Sequence, residues 1–188
     1  NINTIAVTGS TSVTLNGNIT TNNSSGNSVT ITGTTINTGA ITIDTDNNSN
    51  DGAINLVGSV ASSNNNLVLN SGGAEITLSG TAFNLGSGSL TTTGAITLAA
   101  NVSVTATGGI TINDKIDADN ASSNDRTLTL TSGTGATMTF GDAIGSAQPL
   151  AGLTITQSNG VTFNSTLDIT DGSPGTLTVT DTENGSDI

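Results

Sequence analysis

Aliphatic and polar residues alternate along nearly the whole of this chain, and helical spacing is almost absent. The alternation predicts short strands at Ser12–Leu15, Ser28–Thr32, Ala40–Ile43, Ala53–Val57, Asn66–Leu69 and Glu75–Leu78. It continues at Ala95–Leu98, Val102–Thr105, Ile110–Ile112, Thr127–Thr131, Thr137–Phe140, Leu153–Thr156, Val161–Phe163 and Thr176–Thr180. Inward positions read as pairs: Val13 with Leu15, Val29 with Ile31, Ile41 with Ile43, Ile54 with Leu56, Leu67 with Leu69. Thr, Ser and Asn fill the places between and form the outer face. Clusters of Gly, Asn, Asp and Ser separate one strand from the next.

One phrase recurs within this pattern. It reads Gly39-Ala40-Ile41-Thr42-Ile43, Gly52-Ala53-Ile54-Asn55-Leu56, Gly94-Ala95-Ile96-Thr97-Leu98 and Gly108-Gly109-Ile110-Thr111-Ile112. Gly73-Ala74-Glu75-Ile76-Thr77-Leu78 is the same phrase with one insertion. Recurrence on this scale means one supersecondary unit stacked many times. The expected fold is all-β, a parallel β-helix (β-solenoid). At ~20 residues a turn and a strand spacing of ~4.8 Å, it would have about eight or nine turns and a length of roughly 40 Å. β-Sandwich repeats are the rival, because evenly spaced short strands suit them too. The chain lacks the buried Trp or Tyr such sandwiches carry. Residues 1–188 read as a single solenoid segment; spacing loosens after Asn124, so 125–188 is expected to be an irregular or capping region.

Composition narrows the function. Of 188 residues only 32% are hydrophobic and 9% charged, so Thr, Asn, Ser and Gly carry the chain and leave a thin aliphatic core. Mean hydropathy is +0.03, which is not that of a charged disordered chain. Phe83, Phe140 and Phe163 are the only aromatics, so stacking platforms for sugars or bases are missing. Lys115 and Arg126 stand against fourteen acidic residues, for a net charge of −12. Nucleic acid is therefore no expected partner. There is no cysteine for a disulfide or thiolate site and no apolar run of membrane-span length. A chain opening at Asn1, with no signal segment, reads as a mature or excised fragment.

Two loops carry candidate metal chemistry. Ile43-Asp44-Thr45-Asp46-Asn47-Asn48-Ser49-Asn50-Asp51 matches Ile116-Asp117-Ala118-Asp119-Asn120-Ala121-Ser122-Ser123-Asn124-Asp125 apart from one insertion. Asn18–Asn27 is the same loop without its acids, and all three are expected on one side of the rod. Asp44, Asp46 and Asp51, with Asp117, Asp119 and Asp125, offer the closely spaced oxygens that suit Ca²⁺. The glycine and terminal Glu of an EF-hand loop are missing, as is the Gly-Gly-x-Gly-x-Asp repeat. Asx turns on a solvated loop account for the same residues.

Other chemistry is thinner. With no His, the usual general base is absent, and no catalytic residue is assigned. Asp168 and Asp171 could form a glycosidase pair, but a solvated surface explains them as well. The Thr-x-Thr pairs at Thr127–Thr129, Thr154–Thr156 and Thr178–Thr180 raise ice binding, which requires one register on every turn. Exposed-face β propensity is the stronger reading. Lys115 reads as a surface lysine rather than an isopeptide partner, and the Asn-x-Ser/Thr sequons are expected by chance in so Asn-rich a chain.

The Gly-Ala-Ile-Thr-Leu phrase and the Ile-Asp-x-Asp-Asn loop resemble giant bacterial surface adhesins of the filamentous-haemagglutinin type and their β-strand-repeat relatives. The stretch Thr127–Gly135, followed by Phe140–Gly145 and Pro149–Ile155, is the most specific part of that likeness. The resemblance implies an extracellular, non-catalytic stalk segment or filament subunit whose partners are adjacent repeats or copies of itself, head to tail, and host or surface glycans. An ice- or glycan-binding solenoid is the alternative, and a polysaccharide-acting enzyme a remote one.

Overall fold

A computed structural model of the chain describes residues 3–21, 28–47, 51–119, 126–171 and 175–179. It is an all-β parallel solenoid of three walls, visited in the same order on every turn. The first wall takes β1 (Thr4–Thr8), the first halves of β4 (Ser28–Thr38) and β6 (Ala53–Ser62), the last parts of β7 (Leu67–Leu78) and β9 (Leu90–Leu98), and β12 (Ile116–Ala118). The second wall takes β2 (Ser12–Leu15), the remainders of β4 and β6, β8 (Ala82–Asn84), β10 (Val102–Ala106), β13 (Thr127–Ser132), β15 (Gly152–Gln157) and β17 (Thr176–Val179). The third takes β3 (Ile19–Thr20), β5 (Ile41–Asp44), the first parts of β7 and β9, β11 (Ile110–Ile112), β14 (Met138–Phe140) and β16 (Val161–Phe163).

Parallel stacking in register turns the alternation into columns. On the first wall Ile5, Val29, Ile54, Ile76, Ile96, Ile116, Ile144 and Leu167 lie one above another. On the second the column is Val13, Ile36, Val60, Phe83, Val104, Leu130, Ile155 and Val179. On the third Ile43, Leu69, Thr92, Ile112, Phe140 and Phe163 are stacked. These columns form one continuous core, and every paired inward position predicted from the sequence is buried in it. Within the columns, Thr92 apart, apolar side chains stack on apolar neighbours one turn away, which gives a thin core the packing its composition alone would not supply.

The solenoid has about seven turns, fewer than the eight or nine expected. The first-wall column explains the shortfall, because its steps run from 20 residues (Ile76 to Ile96) to 28 (Ile116 to Ile144). Corner loops lengthen the turn without adding a rung. The first wall also thins beyond Ala118, where pairing is reduced to the bridges Ile116–Ile144 and Ile144–Leu167.

The recurring phrase does not mark the turn. Gly39–Ile43 and Gly108–Ile112 lead into the third wall, whereas Gly52–Leu56, Gly73–Leu78 and Gly94–Leu98 lead into the first. It encodes a corner followed by a strand, and the fold uses it at two of its three corners. The remaining corner, between first and second walls, stacks Gly33, Gly58 and Gly80. A Cβ on Gly58 (φ +146°) would collide with the Gly33 carbonyl, and one on Gly80 with the Gly58 carbonyl. Close backbone approach requires glycine there.

Candidate functional site: the acidic corner loops

The first acidic loop leaves β5 on the third wall and crosses to β6 on the first. Thr45 closes its base: this buried hydroxyl is shared between the carbonyls of Gly52 and Asn70. The Thr45 N–H donates to Asn70 O at 2.8 Å, the inter-turn ladder bond. So stapled, the loop sets Asp46 and Asp51 over the tight corner of the next turn. A Cβ on Gly73 would lie 2.6 Å from Asp51 Oδ2, and one on Gly72 2.7 Å from Asp46 Oδ1. The two carboxylates occupy the space that side chains on those glycines would need. Gly72 has φ +60°, a conformation glycine adopts without strain.

Asp44 faces a different set of groups. Its Oδ1 accepts the Asp46 N–H at 3.0 Å and the Asn70 Nδ2 at 3.2 Å. Asp46 and Asp51 are the interacting pair. Desolvation raises the Asp46 carboxyl above the ordinary range, aided by its hydrogen bond to Asp51, the charge of Asp51 and then that of Asp44.

The second acidic loop is built differently. Asp117 lies on β12 of the first wall, so this loop leaves at the next corner, toward the second wall. The expectation that all three loops share one side of the rod therefore holds for the first two in the chain, which both connect the third wall to the first, and fails for this one. The matching letters fall at different phases of the turn, and phase alone decides the corner. Asp117 is only 7% exposed; its Oδ1 accepts the N–H groups of Ala147 and Gln148 at 2.8 and 3.2 Å. Lys115 Nζ stands 3.5 Å from its other oxygen. Asp119 takes a bidentate contact from Arg126, Nε at 2.8 Å and Nη2 at 2.7 Å. The hydrogen bond to Arg126 is the main reason its carboxyl is held below the ordinary range. Asp125 lies outside the described residues. Among the described residues, no three acidic, His or Cys side chains gather closely enough to hold a metal ion.

The remaining candidates sort by wall. Asp168 Oδ1 accepts the N–H of Thr170 at 3.1 Å and its hydroxyl at 2.7 Å, a local turn. On the second wall Thr129, Thr154 and Thr178 stack in register. Thr127, however, faces Gly152, and a register shift sets Thr131 opposite Gln157. A longer hydroxyl column, not singled out in the sequence, is Thr91, Thr111, Thr139 and Thr162 on the third wall.

Two features emerge only from the winding. First, charge is segregated: apart from Asp44, at the margin of the third wall, every described carboxylate lies on the first wall or a corner flanking it. The outer surface of the second wall, and the corner it shares with the third, carry hydroxyls and amides with no charge among the described residues. Second, exposed asparagines extend the ladder. The side-chain oxygens of Asn18, Asn66 and Asn101 each accept a backbone N–H one turn on, from Thr42 at 2.9 Å, Ser89 at 2.9 Å and Thr127 at 3.0 Å. Periodicity could not single these residues out, because they look like any other loop asparagine. Neither family models, nor characterised proteins, nor solved structures match this chain.

Proposed function

We propose that this chain is a structural, non-catalytic rod segment of a bacterial extracellular surface adhesin or stalk, joined head to tail to further rungs of the same kind. The observation that carries this reading is how the strands are used. Among the described residues β1, β2 and β3 have a ladder partner on one side only, as do β16 and β17 at the opposite end. Such edges are templates for another strand, and contacts of this head-to-tail kind extend rather than close. Lys115, Arg126, Asp117 and Asp119 are spent on holding corners, and Asp168 on a local turn. The resemblance to surface-adhesin repeats points the same way.

Small-angle scattering and electron microscopy at moderate ionic strength test it. The expected particle is a rod of roughly 34 Å per seven turns at ~4.8 Å a rung, lengthening end to end as concentration rises. A compact monomer at high concentration would remove the self-stacking part, and turnover of a polysaccharide substrate would remove the non-catalytic part.

A further inference from the structure

We propose that Asn16 is a site of spontaneous hydrolytic modification, where the rod converts a side-chain amide into aspartate and isoaspartate. Asn16–Gly17 and Asn159–Gly160 are the two Asn-Gly pairs among the described residues. Both lie at the corner between the second and third walls, near opposite ends of the rod. Each follows a buried residue at the end of a second-wall strand, Leu15 in one case and Ser158 in the other.

The fold treats the two pairs in opposite ways. The buried Ser158 hydroxyl bonds the carbonyls of Gly160 at 2.6 Å and Ala136 at 3.4 Å. The Asn159 N–H donates to Ala136 O at 2.8 Å, and Gly160 O accepts the Met138 N–H at 3.0 Å. Leu15 has no hydroxyl with which to staple its corner. The ladder is held on either side of the first pair, where Leu15 O accepts the Gly39 N–H at 3.0 Å and Asn18 Oδ1 the Thr42 N–H at 2.9 Å. Between these anchors Asn16 and Gly17 are exposed and make no hydrogen bond among the described residues. Nothing stands within 4 Å of the Cβ position of Gly17.

An asparagine so placed is open to attack by the nitrogen of the residue after it. The Gly17 nitrogen bonds Asn16 Cγ, the Cγ–Nδ2 bond breaks, and ammonia leaves with the proton from the Gly17 amide. Water then opens the resulting cyclic imide. Cleavage at Cγ restores the peptide bond and gives aspartate; cleavage at the main-chain carbonyl gives isoaspartate. Glycine favours ring closure because it has no side chain to obstruct the attack and ranges freely in φ. At Asn159–Gly160 the ladder bonds oppose it, since closure there requires local opening first. Either product puts a negative charge on a corner that carries none among the described residues. Isoaspartate also lengthens the backbone between β2 and β3. This inference does not depend on the stalk reading.

The test incubates the whole folded chain at mildly alkaline pH, which favours loss of the attacking amide proton. Peptic peptides are mapped by mass spectrometry, and isoaspartate is read with a carboxyl methyltransferase specific for it. Asn16 should convert about tenfold faster than Asn159 in the folded chain, and the two rates should converge in urea. Gly17→Ala fills an open position without a clash and should slow conversion at Asn16 about tenfold. Three results would overturn the inference: equal rates at the two sites in the folded chain, a gap that persists in urea, or unchanged conversion in the Gly17→Ala variant. The rod dimensions from scattering are untouched by any of these, so the two readings fail separately.

Discussion

Phe140 and Phe163 lie face to face one turn apart, with ring centroids 4.9 Å from each other and planes inclined by 7°. Free aromatic pairs prefer offset or edge-to-face packing. Here β14 and β16 are paired in register, and the centroid separation matches the strand spacing of about 4.8 Å. The backbone ladder dictates the geometry of the side chains. Phe140 is buried below Phe163, which is only partly covered. Phe140→Ala should cost about 3–5 kcal/mol and Phe163→Ala distinctly less, as read from urea midpoints. Equal losses would mean that the final turn is buried as deeply as the one before it.

Thr92 stands in the same column between Leu69 and Ile112, 1% exposed, with no hydrogen-bond partner for its hydroxyl. A buried, unpaired hydroxyl costs about 1–3 kcal/mol. Thr92→Val keeps the shape and the strand propensity. It should stabilise the protein by about 1 kcal/mol, a rise in Tm of about 2–4 °C for a chain of this size. A fall in calorimetric Tm would show that the hydroxyl has a partner.

Gly58 tests the glycine corner. With φ +146° and the Gly33 carbonyl in the place of its Cβ, Gly58→Ala should destabilise by about 2–3 kcal/mol. Gly17 has nothing within 4 Å of its Cβ position, so Gly17→Ala should be close to neutral. Parallel thermal melts of the two variants separate a steric requirement at one corner from a general need for glycine.

The two acidic corners respond to pH in opposite senses. Asp119, held below the ordinary carboxylate range by Arg126, contributes stability that is present above that range and is lost as pH falls through its folded-state value. Asp46, raised by desolvation and by Asp51, binds its proton more tightly in the folded state. Its charge costs stability at neutral pH, and the cost is relieved as pH falls through the raised value. Arg126→Ala should therefore lose stability at neutral pH, with the deficit shrinking in acid. Asp51→Asn should gain stability at neutral pH, with the gain shrinking in acid. Urea midpoints across a pH series check both, and parallel curves for either variant would refute the corresponding assignment.

By itself the sequence determined the class of fold and the inside of the rod. Strict alternation needs no long-range information: the pleat sends every second residue inward, so Val29 with Ile31 and Ile54 with Leu56 declare their burial locally. Most rungs that the alternation left unread have one large apolar residue, such as Thr35-Ile36-Asn37-Thr38 and Ala82-Phe83-Asn84; β1, with Ile5 and Val7, was also unread. Their strand character depends on the column above and below them. Only the tertiary structure decided the phase of the winding. Corner loops differ in length, two residues at Gly39–Ala40 and four at Ser63–Asn66, so matching phrases fall on different walls. For that reason Asp46 and Asp51 meet over Gly72–Gly73, while Asp117 and Asp119 turn to Lys115 and Arg126. Phase also gathers uncharged residues far apart in sequence onto one side, where Asn18, Thr42 and Val68 come together from three successive turns.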